Sequence, residues 1–148
     1  MTAKEYLNEP RRLYHRARRL EERYTELFEK ATSPKCALNL GDGLGVQSSP
    51  SGNSREKLLV DLADAKLEYV SAELDYIECR QNVFELIYDI DGNVGDVLYK
   101  RYIKMQTWEQ ITNEEGSCSL RNVHKLHNKG LRIVEDKLQR LRDDSERV

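Results

Sequence analysis

Between Leu13 and Ala31 the apolar side chains Leu13, Ala17, Leu20, Tyr24, Leu27 and Ala31 alternate spacings of four and three. A helix turns about 100° per residue, so this spacing predicts a narrow seam lying along another helix. Arg12, Arg16, Arg19 and Arg23 run beside it. Upstream, Thr2 and Glu5 form a capping-box pattern that opens a short helical turn through Leu7. Pro10 lacks the backbone N–H, which predicts a break there, with Asn8 as the cap that restarts the helix.

The same alternation runs through Val60, Ala63, Leu67, Val70, Leu74, Ile77, Gln81, Phe84 and Tyr88. It predicts a long helix from a cap at Ser54 to about Ile90. A second stripe, Leu62, Tyr69, Tyr76, Val83 and Ile90, repeats every seven residues on a neighbouring face. That is more apolar circumference than one partner helix requires. One stripe is expected to pack on the first helix as an antiparallel hairpin, the other on a second copy or the C-terminal unit. Gln81, in the seam, would restrict register. Between the two helices Gly41, Gly43, Gly45, Pro50 and Gly52 mark a linker without apolar period. Its "GDGLG" lacks the Gly-Lys-Ser/Thr ending of a phosphate loop and follows a helix rather than a strand. It reads as a flexible connection.

Asp89 to Asp96 interrupts the long helix. A calcium loop needs its glycine later and a glutamate at the twelfth position, whereas here Gly92 comes early and that position is Lys100. The segment reads as a hinge, with Asn93 capping a helix whose buried side is Val94, Val97, Leu98, Tyr102 and Met105. Thr107 and Gln110 then form another capping box, Trp108 and Ile111 an apolar side, and Gly116 a left-handed helix end. Ser119 is placed to cap a final helix with Val123, Leu126, Leu131, Val134 and Leu138 inward. Arg121, Asn122, Lys125, Asn128, Lys129 and Arg132 fall outward. Two short helices at a steep angle, the second cationic and amide-bearing outside, are what a major-groove reader needs.

"LYKRYIKMQTWEQI" followed by "SLRNVHKLHNKGL" resembles the region 4 helix-turn-helix of bacterial sigma factors. The chain more closely resembles the small bacteriophage regulators of the sigma-region-4-like, RinA/ArpU late-gene type, a likeness that "TAKEYL" and "VQSSPSGN" extend over most of its length. Gly116 to Val123 spans seven positions, one more than the family usually has, and Glu115 and Ser117 stand where apolar residues are common. Cys118 is expected to take over that packing role. The resemblance implies double-stranded DNA and RNA polymerase as partners, inside the cytoplasm of a bacterial host.

Composition changes the picture in one respect. The net charge of −2 over 148 residues conceals a segregation of sign. Arg55 to Asp91 is rich in Asp and Glu, whereas Arg121, Lys125, Lys129, Arg132, Lys137, Arg140 and Arg142 face only Glu135 and Asp136 between them. A local basic face, not the total, is the footprint that matters for a duplex. Cys36, Cys79 and Cys118, odd in number and widely spaced, fit a reducing cytosol better than a disulfide framework. No stretch has the length of a membrane span. Cys118, His124 and His127 suggest zinc but lack a fourth local ligand, and no hydrolase, zinc-protease or dinucleotide motif occurs. No enzyme, cofactor or metal is expected.

The sequence therefore predicts an all-α protein. Residues 1–91 form a long coiled-coil-like hairpin with a flexible loop at 32–53, which assembles copies into a homodimer through the long helix. Residues 92–148 form a sigma-region-4-like helix-turn-helix unit. Base edges would be read by Arg121, Asn122, His124 and Lys125, since arginine suits guanine and asparagine suits adenine. Lys104, Thr107, Ser119, Lys129 and Arg132 would hold phosphates. The competing expectation is a coiled-coil assembly protein whose helix-turn-helix has lost DNA.

Overall fold

The computed structural model describes residues 1–33, 51–114, 116 and 119–146, and every regular element among them is helical. These are α1 (Ala3–Thr32), α2 (Ser51–Tyr88), α3 (Gly92–Leu98) with a π-helical continuation at Tyr99–Ile103, α4 (Trp108–Glu114) and α5 (Leu120–Glu146). The "GDGLG" linker, Glu115, Ser117 and Cys118 lie outside the described residues. No described helix is long and apolar enough to cross a membrane.

The expected break at Pro10 does not occur. α1 runs through it, and Asn8 donates its amide to the Lys4 carbonyl at 2.9 Å instead of capping a new start. The reason is burial on both sides of the proline. Ala3, Leu7 and Pro10 share one covered face. An interior proline costs roughly 3 kcal/mol, and burying a leucine side chain alone recovers about 2 kcal/mol of that. The start of α1 follows expectation: Thr2 N–H donates to Glu5 Oε2 at 2.7 Å and Glu5 N–H to Thr2 Oγ1 at 3.3 Å.

The chain divides by contact into two units. One comprises Tyr14–Asp75, the other Met1–Leu13 with Tyr76–Val148. In the first, α1 meets α2 with rising residue numbers on one helix against falling numbers on the other. Arg18 faces Glu73 at 3.9 Å, Arg23 bonds Glu68 at 3.1 Å, and Tyr24 stacks on Tyr69 with centroids 6.4 Å apart. Ala17, Ala65 and Ala72 are fully buried, small enough to let the two backbones approach. The covered face of α2 is therefore the stripe of Leu62 and Tyr69 together with Ala65 and Ala72. The more regular stripe is open: Val60, Leu67, Val70 and Leu74 are 54%, 70%, 43% and 61% exposed.

In the second unit, α2 contributes Val83, Ile87 and Ile90 to a core completed by Ala3, Leu7, Val94, Leu98, Tyr102, Ile103, Val134 and Leu138. Gln81, expected in a seam, is exposed and bonds Glu85 at 3.0 Å, because the buried face of α2 has rotated away from it. α2 begins at Ser51, a turn before the expected cap at Ser54. α3 starts after Asp91, not Asn93, because the chain reverses at Gly92 (φ +73°) and Asn93 already lies in the first turn. Met105, expected on the helix's buried side, follows the π-helical turn in a left-handed conformation (φ +56°) and is half-buried.

Candidate nucleic-acid interface

The interface is built outward from a small apolar cluster. Ile111 of α4, Val97 of α3 and Val123 of α5 are each fully buried against one another, with Trp108 and Leu126 at the rim. The capping box that starts α4 forms as its sequence predicts: Thr107 N–H donates to Gln110 Oε1 at 2.8 Å and Gln110 N–H to Thr107 Oγ1 at 3.2 Å. Arg101 ties the preceding turn down, donating to the Gln106 carbonyl at 2.8 Å while its guanidinium sits 4.4 Å over the Trp108 ring. Lys100 reaches Glu114 at 3.5 Å, at the other end of α4. Beyond α4, Gly116 has φ +54°, the left-handed conformation that glycine adopts without steric cost. Ser119 Oγ then accepts the Asn122 N–H at 3.3 Å, which starts α5.

α5 has two unlike faces. Val123, His127, Gly130, Val134 and Leu138 are buried. At Gly130 α5 packs tightly against Leu98 of α3, since a Cβ there would come within 2.7 Å of Leu98 Cδ1 and 2.9 Å of its Cγ. His127 shares a 2.8 Å hydrogen bond with the Tyr102 hydroxyl and packs edge-on against Trp108. Burial drives both groups toward neutrality, lowering His127 to about 4 and raising Tyr102 to about 12. The pair is a core contact, not an interface residue.

The other face is open. Arg121, Asn122, Lys125, Asn128, Lys129 and Arg132 are all exposed, and at about 100° per residue they share an arc of about 120°. Among the described residues, Arg121, Lys125, Lys129 and Arg132 make no ion pair. Lys104, Thr107 and Ser119 are exposed as well. The Thr107 and Ser119 hydroxyl oxygens each accept a backbone N–H, yet each hydroxyl proton remains to be donated.

His124, expected to face outward, does so only in part. Its half-buried ring lies 4.5 Å from Trp108, centroid to centroid. The basic segment also divides. Lys137 donates to the Leu86 carbonyl at 3.0 Å and Arg142 to the Met1 carbonyl at 2.8 Å, so these two cations are structural ties. Sequence reasoning missed the stack of Arg101, Trp108 and His124, whose members come from three different elements with no local pattern to announce them. Comparison of the chain with protein families, with curated proteins and with solved structures finds no match in any of the three.

Proposed function

We propose that this chain is a sequence-specific DNA-binding transcription regulator of the phage late-gene type. In this reading α4 and α5 act as a helix-turn-helix and α5 enters the major groove, while α1 and α2 form an antiparallel hairpin that pairs two copies. The observation that carries it is the open face of α5, where four cations that make no ion pair among the described residues share one arc with Asn122 beyond a capped turn. Arg121, Asn122 and Lys125, nearest the start of α5, read base edges, as recognition helices do from their first turns. His124 adds only the ring edge that Trp108 leaves uncovered. Lys104, Thr107, Ser119, Lys129 and Arg132 hold phosphates, and RNA polymerase is the protein partner that the sigma-like resemblance implies.

The test is fluorescence anisotropy of the full chain with fragments selected from its source genome and with random duplex, each titrated with salt. Cations displacing condensed counterions give a log–log slope of roughly −3 to −5 for both duplexes. The selected fragments should bind at least about a thousandfold more tightly than random duplex at the same salt. Failure to bind at low salt would sink the reading. It would favour an assembly protein without DNA, a second reading that the open apolar stripe of α2 supports.

A further inference from the structure

We infer that the open stripe of α2 is the interface of a homodimer in which the two α2 helices run antiparallel, centred between positions 68 and 69. The inference rests on the pairing of copies read above, and it adds face, direction and register. It does not depend on DNA contact. Val60, Ala63, Leu67, Val70, Leu74 and Ile77 keep the three-four spacing of a coiled-coil seam on a face that α1 does not cover. Leu67 and Leu74 are 70% and 61% exposed there. Scattered exposed apolar residues need no explanation, but a contiguous stripe at this spacing marks an association surface.

The charges beside the stripe choose the occupant. In the antiparallel register, Val60, Ala63 and Leu67 of one copy oppose Ile77, Leu74 and Val70 of the other, and the twofold axis repeats the set. Lys66 of each copy then lies beside Glu73 of the other, and Lys57 beside Glu78, so every charged pair along the seam attracts. Glu73 faces Arg18 of its own chain at 3.9 Å, yet its side chain stays 27% exposed. Lys57, Lys66 and Glu78 are exposed. Shifting the register by one heptad in either direction sets Lys66 on Lys66 and Asp64 on Asp64, or Glu73 on Glu73 and Lys66 on Arg80. A parallel pair sets Glu73 beside Glu78 on both flanks. Flanking charges decide partner and orientation in coiled coils, and here they favour a second copy of this chain, reversed.

Sedimentation of the full chain without DNA tests the pairing, and cysteine cross-linking tests its direction. The expected mass is that of two chains, and Leu67→Asp with Leu74→Asp yields one chain with unchanged helical circular dichroism. With Cys36, Cys79 and Cys118 replaced by Ser, a V60C chain oxidises to an I77C chain and not to another V60C chain. Lys57→Glu or Glu78→Lys alone weakens association roughly tenfold, because two symmetric pairs turn repulsive, and the double exchange restores it. A single-chain mass at about 100 μM, where any Kd of about 10 μM or tighter leaves most chains paired, overturns the proposal. So does V60C joining V60C, or a dimer indifferent to the Leu67 and Leu74 changes. DNA binding by a monomer would leave the reading of DNA by α5 standing and remove the pairing of copies together with this inference.

Discussion

Gly130 is small because Leu98 leaves no room for a larger residue. A methyl there meets the branched end of a fully buried leucine at 2.7–3.0 Å. Replacing glycine by alanine inside a helix ordinarily gains about 1 kcal/mol, but overpacking a core costs about 1–3 kcal/mol. Gly130→Ala is therefore expected to lose about 1 kcal/mol in urea denaturation, and a gain of that size would show that the α3–α5 approach is slack. His127 makes a second prediction at this scale. Its folded imidazole resists protonation down to about pH 4, whereas the unfolded one takes a proton near its ordinary value of 6.5. Within that window the unfolded chain binds more protons, so stability is full above about pH 6.5 and falls as pH drops toward 4. Thermal melts of wild type and His127→Gln across this range check the sign, since the variant should lose that part of the acid slope.

At the scale of the element, α5 has a buried side that locks it in place and an exposed, cationic side. Arg121 stands in its first turn and Lys129 more than two turns on, so their losses should differ in kind. Arg121→Ala is expected to cost about 1–3 kcal/mol on the selected sequence and to blur one base position. Lys129→Ala should weaken selected and random duplex alike and shallow the salt slope by about 1. Equal losses on both duplexes from both changes would refute this division of roles. Among helix ends, the reciprocal capping boxes are the legible ones, whereas the single-residue caps expected at Asn8, Ser54 and Asn93 are not where the helices start. The boxes at Thr2–Glu5 and Thr107–Gln110 form with the bonds their residue types predict, because each needs only partners three residues apart. The expected break at Pro10 does not form because the burial that overrides it involves residues far away in the chain.

For the whole molecule, the charge segregation acquires a spatial meaning. The acidic α2 carries an apolar face that α1 leaves open, and the basic α5 carries a polar face that its own core leaves open. A chain of net charge −2 thus carries two dissimilar exposed surfaces, one apolar and one cationic. Sedimentation and DNA titration interrogate them separately, and loss of pairing by Leu67→Asp with Leu74→Asp should leave the random-duplex salt slope per chain unchanged.

Local chemistry was enough to determine the all-helical class, the helix starts capped by Thr2, Thr107 and Ser119, the left-handed residue at Gly116 and the cationic arc of α5. Each follows from spacings within a few residues, and helical periodicity is itself a local property. Tertiary packing alone decided which stripe of α2 meets α1, that α1 runs on through Pro10, that His124 lies on Trp108 and that Lys137 and Arg142 serve as ties. Two apolar stripes of similar strength look alike in a sequence. Only the alanines at 17, 65 and 72, by letting two backbones come close, turn one of them inward and leave the other outside.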